Sequence, residues 1–245
     1  MRSWGGARYT DPELQGLRGP PAATDMNPSP SDPSNSPSGP SDAVVIARTL
    51  RWMERAVIGL NLCPFAKAVH AKGQVNVAVS RVNDADALLQ ELARQMQELI
   101  ALDPAVRDTT LLVLPDAFAD FLDFNDFLDP VDALLDELRL EGVLQVASFH
   151  PYYQFADTEA DDITNFSNRS PYPTLHLLRE DSIARAVEAF PDPEAIFGAN
   201  MHTLEQLGHE GWTRLDVGPG DTVDNAGDPA NGAYRSASRS AKGAM

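Results

Sequence analysis

From Val44 to Phe149 the hydrophobic period switches repeatedly between helix and strand spacing, and that alternation limits the fold more than any other feature of the chain. VVIARTLRWMERAVIGL, Val44 to Leu60, reads as a helix capped by Ser41 or Asp42, with Ile46, Leu50, Met53 and Val57 on one face. QVNVAVS, Gln74 to Ser80, alternates at period two and reads as a strand. Asp84 to Leu102 returns to helical spacing through Leu88, Leu92, Met96 and Ile100, and Asp103-Pro104 stops it. TLLVLP from Thr110 is a buried-strand run, and Ala119 to Leu140 is helical, broken where Asp129-Pro130 reads as a second helix start. VLQVASF, Val143 to Phe149, is the third strand. Two helices follow a long polar stretch, Asp181 to Phe190 and Pro193 to Leu207, the second ended by Gly208. The short run TLHLL, Thr174 to Leu178, fits a fourth strand or the start of a helix.

This order predicts one α/β domain: a small, mainly parallel sheet of three to four strands flanked by helices. In such sheets the ligand crevice lies beyond the carboxyl ends of the strands, here at Ser80/Arg81, Pro115/Asp116 and His150. The domain is expected at 42–215. Residues 1–41 hold PSPSDPSNSPSGPSD, and 216–245 are small and polar throughout. Neither tail has the apolar surface to offset ordering entropy, so both are expected to be disordered.

Charge excludes whole classes of partner. The chain carries 19 Lys and Arg against 36 Asp and Glu, a net charge of −17, which argues against nucleic acid and anionic membrane surfaces. No apolar run approaches the length of a membrane span, and the first residues lack the apolar core of a secretory signal. The single cysteine rules out an internal disulfide framework and fits a reducing compartment, so a cytoplasmic protein is expected.

The chemistry concentrates in HPYYQFADTEADDITNFSNRSPYPTLHLLRE, His150 to Glu180. An ordered connection this long without regular structure is usually functional. If Thr158 to Asn168 is helical, Asp161, Asn165 and Asn168 share a face with Asp162 beside it, offering oxygen ligands to Mg2+ or another divalent metal, or a clamp for a polar substrate. The blander account has the Asp residues capping and the Asn residues tying a loop. Arg169 and Arg179, with Tyr172 nearby, suggest a bidentate clamp for carboxylate or phosphate, against simple ion pairing with the neighbouring acids. His150 and His176 are candidates for proton transfer or metal binding, and His150 equally for a loop anchor.

A second constellation is NLCPFAKAVH, Asn61 to His70. Pro64 suits a first helical position and makes Cys63 the N-cap, where the helix dipole would lower its pKa and favour a nucleophilic thiolate; the alternative is a packed small residue. The row of Asp116, Asp120, Asp123, Asp126, Asp129, Asp132 and Asp136, interleaved with Phe, reads as a solvated helix face rather than a metal array.

NLCPFA, SFHPYYQFA and DDITNFSNRSPYPTLHLLRE together resemble the bacterial domain-of-unknown-function family 1415, over roughly Val44 to Leu207. The resemblance implies no reaction, cofactor or substrate. It implies that Cys63, His150, Pro151, Asp162, Asn165, Asn168, Arg169, His176 and Arg179 stand at motif positions, and that a glycine is expected where this chain has Asp157.

The expectation is a hydrolase or transferase acting on a small phosphorylated or carboxylated molecule. Arg169 and Arg179 would bind the anion, Asn165, Asn168 and Tyr172 would orient it, and His150 would be the acid/base. Cys63 is the nucleophile of a covalent route and His176 a further proton carrier. Two rivals stay open: a metal enzyme with His150, Asp161 or Asp162, and His176 as ligands, and a non-catalytic module that senses a metabolite.

Overall fold

The computed structural model describes residues 39–188 and 193–219. Apart from 39–41 and 216–219, the two tails expected to be disordered lie outside the described residues. The helices are α1 (Asp42–Trp52), α2 (Ala66–Ala71), α3 (Ala85–Ala101), α4 (Phe121–Glu137), α5 (Glu180–Glu188) and α6 (Pro193–Arg214). The strands are β1 (Val75–Val79), β2 (Thr109–Val113), β3 (Leu144–Phe149) and β4 (Thr174–Arg179), so TLHLL is a strand.

The four strands form one sheet in the order β1-β2-β4-β3. β1 pairs parallel with β2, while β4 pairs antiparallel with both β2 and β3. The expected mainly parallel sheet is therefore mixed and mostly antiparallel. The reason is where β4 begins. β1, β2 and β3 all run the same way, linked by helical crossovers, but the polar segment after β3 stays at their carboxyl-terminal edge. A strand that starts there can only run back, and Thr174 accordingly pairs with Phe149 while Arg179 pairs with Leu144.

Two apolar layers cover the sheet. Leu88, Leu92, Met96 and Leu99 of α3, with Phe124, Phe127, Val131 and Leu135 of α4, pack on Leu112, Leu144, Leu175 and Leu177. On the other face, Val45 and Trp52 of α1, Leu204 and Trp212 of α6, Phe166 and Tyr172 pack on Leu111 and Val113. Asp84 caps α3 by accepting the Ala87 N–H at 2.9 Å.

Three expectations change in detail. α4 continues through Pro130 instead of breaking there. Pro130 is exposed on the outer side of the helix, and Phe124, Phe127, Val131 and Leu135 keep one apolar stripe across it. The buried stripe of α1 is Val45, Thr49 and Trp52 rather than Ile46 and Leu50, and after it the chain widens into a π-helix over Met53–Ile58 that buries Met53 and Ala56. Gly208 does interrupt its helix, at φ 61°, but helical geometry resumes after it and brings His209 and Trp212 onto the domain. Packing also runs beyond Leu215: Val217 is buried, and Asp216 accepts from Arg51 at 2.8 Å. No helix among the described residues is long and apolar enough to cross a membrane.

Candidate functional site

The polar segment, 150–173, leaves and rejoins the sheet at one edge, and its own side chains hold it there. His150 directly follows β3 and is fully buried. Its Nδ1 accepts the Tyr152 N–H at 3.0 Å, and its Nε2 lies 2.9 Å from the carbonyl of Phe118. A carbonyl can only accept, so Nε2 carries the hydrogen and the ring is the neutral Nε2–H tautomer. It rests among Phe121, Phe124 and Tyr152. Burial pushes its pKa down to about 4, against a smaller upward pull from the Phe118 carbonyl. Both nitrogens are spent on backbone. His150 is the anchor of the loop, and the expected acid/base role loses its geometric basis.

Asp162, Asn165 and Asn168 are likewise committed to the segment. Asp162 caps a 310-helix over Ile163–Asn168, accepting the Thr164 N–H at 2.8 Å and its hydroxyl at 2.7 Å, and these bonds hold its carboxyl below the usual range. Asn165, fully buried, accepts from the Phe155 N–H at 2.9 Å, lies 2.9 Å from the Thr158 hydroxyl, whose hydrogen is shared with the Phe155 carbonyl, and donates to the Glu159 carbonyl at 2.8 Å. Asn168 donates to the Ser148 carbonyl at 3.3 Å, and its own carbonyl accepts the His150 N–H. The buried Tyr153 phenol, raised in pKa by burial, bonds Ser148 and Asn168. The segment between Phe155 and Thr158 turns at Asp157, φ 64°. The bend that glycine would make easily is made here by aspartate, one of the few residues that tolerates that conformation.

The expected arginine pair is not a pair. β4 runs from Thr174 at the carboxyl-terminal edge to Arg179 at the opposite one, and the strand carries the two arginines apart. Arg179 donates to the carbonyls of Leu99, Leu102 (2.8 Å) and Arg107 (3.3 Å), closing the end of α3. These bonds tie β4 to the end of α3. Arg169 stays with the segment: Nε donates to the Tyr153 carbonyl at 3.2 Å, an Nη to the Ala160 carbonyl at 2.5 Å, and Cζ lies 4.1 Å from the centroid of Phe166. His209 of α6 meets Phe166 edge-on at 5.3 Å between centroids, next to Asp162. His209 was not foreseen, because Gly208 reads as the end of its helix; the Trp212 that follows was the available hint of further packing.

The remaining candidates fall elsewhere. Tyr172 is fully buried, and its hydroxyl accepts from Arg48 at 3.4 Å. His176 sits mid-strand, with Nε2 2.6 Å from the Thr109 hydroxyl, which itself donates to the Leu177 carbonyl. The imidazole must then be the donor, and crowding by the sheet lowers its pKa to about 4. Asp161 is exposed. Among the described residues no group of three or more His, Cys, Asp and Glu could hold a metal ion, so His150, His176, Asp161 and Asp162 do not form the expected ligand set.

Cys63 does not take the expected N-cap position. α2 starts only at Ala66, with Phe65 at its cap, and the thiol lies in the turn before it. Burial raises its pKa, outweighing the bonds from the Phe65 and Ala66 N–H groups that pull it down. Iodoacetamide labelling of the folded protein should therefore rise with pH along a curve displaced above that of a free thiol, about 8.5. A curve displaced below it would restore the nucleophile.

Of the motif residues, His150, Asp162, Asn165, Asn168 and Arg169 thus share one loop scaffold, while Cys63, His176 and Arg179 lie outside it. The family described as "Protein of unknown function (DUF1415)" matches residues 44–214. The chain belongs to this family. Its matched span opens in α1 and closes at the last residue of α6, so it takes in the whole sheet and the polar segment. Neither the curated proteins nor the solved structures contain a match.

Proposed function

We propose that the protein binds a small anionic molecule, phosphorylated or carboxylated, on the rim of the polar segment, as a metabolite-binding module of the cytoplasm. The observation that carries this reading is Arg169. Its guanidinium is oriented by two backbone carbonyls and laid on the Phe166 ring, within the polar segment that follows β3. A guanidinium is the side chain whose planar geometry matches carboxylate and phosphate oxygens. Nucleic acid and membrane surfaces are poor partners for a net charge of −17. A hydrolase or transferase using His150 would need that ring to exchange protons near neutral pH. A fully buried imidazole with both nitrogens on backbone and a pKa of about 4 speaks for binding instead.

The test is a thermal-shift screen with inorganic phosphate, nucleotides, di- and tricarboxylates and divalent ions. A ligand at 100 times its Kd adds roughly 2.7 kcal/mol, about 5–10 °C for a domain of this size. Arg169→Lys keeps the charge and loses the planar fork, so it should weaken binding of the best anion about tenfold or more. If no anion raises the melting temperature, or Arg169→Lys binds as well as the wild type, the reading fails.

A further inference from the structure

We propose that one water molecule is bound inside the layer between α3 and the sheet, held jointly by Gln95, Thr110 and Arg179. Three buried polar atoms have no hydrogen-bond partner among the described residues: Gln95 Oε1, Thr110 Oγ1 and Arg179 Nε. Orphans of this kind are rare in folded proteins, and three of them in one layer point to a common partner.

The strand register places them together. Thr110 is fully buried and alternates with Leu112, so it faces the apolar layer of α3. It pairs with Leu177, and Arg179 is the next β4 residue on that same face, a diagonal neighbour within reach of long side chains. Arg179 reaches the carbonyls of Leu99 and Leu102 at the end of α3. Gln95, 5 % exposed, lies one helical turn before Leu99 among the α3 residues buried against the sheet.

The three atoms also define the chemistry of their partner. Arg179 Nε–H can only donate, Gln95 Oε1 can only accept, and the Thr110 hydroxyl can do either. An anion would face the Gln95 oxygen and the carbonyls gathered around Arg179, and a cation would face the guanidinium. A water accepts from Arg179, donates to Gln95 and to Thr110, and makes the three bonds that are usual for buried solvent. It would link the end of α3 to β2 and β4 from the inside, where Arg179 already ties α3 through its other nitrogen.

The experiment is a crystal structure of the full chain at a resolution that shows ordered solvent, together with denaturant unfolding of Thr110→Val, Gln95→Met and the double variant. The expected result is a solvent peak within hydrogen-bond distance of all three atoms. Each single variant should lower the unfolding equilibrium constant's favour for the native state about fivefold. The double variant should lose clearly less than the product of the two, because either change already releases the water. No peak, or a Thr110→Val protein as stable as or more stable than the wild type, overturns the proposal. Should a variant fail to fold, the wild-type density decides alone.

Discussion

Lowering the pH from 7.5 to 5 is expected to remove up to about 4 kcal/mol of folding stability, and two histidines account for it. His150 and His176 each have an ordinary pKa of 6.5 and a folded value of about 4. Below pH 6.5 the unfolded chain takes up a proton at each ring, and the folded chain does not until about pH 4. The unfolded state therefore binds more protons throughout that window, and stability falls as pH falls. It is fully present above pH 6.5 and lost progressively toward 4. The share from His176 is the smaller, because its ring is not wholly shielded from solvent. Protonating carboxylates would relieve the repulsion of a net charge of −17, in the opposite direction, but the ordinary carboxylate range lies below pH 5. Urea midpoints between pH 7.5 and 5 isolate the histidine term. The slope should approach two protons near pH 5; a flat profile would mean that the rings are not held neutral.

Asn165→Ala should cost about 3 kcal/mol and lower the melting temperature by roughly 6–12 °C. Asn165 is buried, and each of its polar atoms is used: Oδ1 accepts the Phe155 N–H and faces the Thr158 hydroxyl, whose one hydrogen it shares with the Phe155 carbonyl, and Nδ2 supplies the Glu159 carbonyl. Alanine leaves the Phe155 N–H and the Glu159 carbonyl without that partner and opens a gap beside Phe166. An exposed Asn of a substrate clamp would behave differently, losing binding with little change in melting. Calorimetry of the variant separates the two, and a change under about 2 °C would remove Asn165 from the scaffold.

The element order was readable because periodicity reports burial, and burial is local to each helix and strand. The direction of β4 was not. TLHLL carries no signal of polarity, and its orientation follows from where the preceding segment ends. That one uncertainty also joined Arg169 to Arg179. If the residues between them had been a loop, the two could have met; as a six-residue strand, they separate by roughly 17–20 Å. Residue types told correctly that the 150–180 stretch is dense in hydrogen bonding. They could not tell that the partners are mostly backbone. The carbonyl of Phe118, 32 residues from His150, has no side-chain signature, nor does the Glu159 carbonyl that takes the Asn165 amide. Of the two readings of Cys63, the sequence could not weigh one against the other: the N–H groups that lower its pKa are present, but the desolvation that opposes them depends on packing from elsewhere in the chain.

The central claim is that the polar segment is a rigid scaffold anchored by a neutral His150, with recognition left to its rim. The most direct measurement is an NMR titration of the histidine ring nitrogens in the full chain. His150 should show a single Nε2–H tautomer that persists from pH 8 to below pH 5, with its midpoint at about 4. A midpoint near 6.5, or exchange between tautomers at neutral pH, would contradict the claim and return His150 to the role of acid/base.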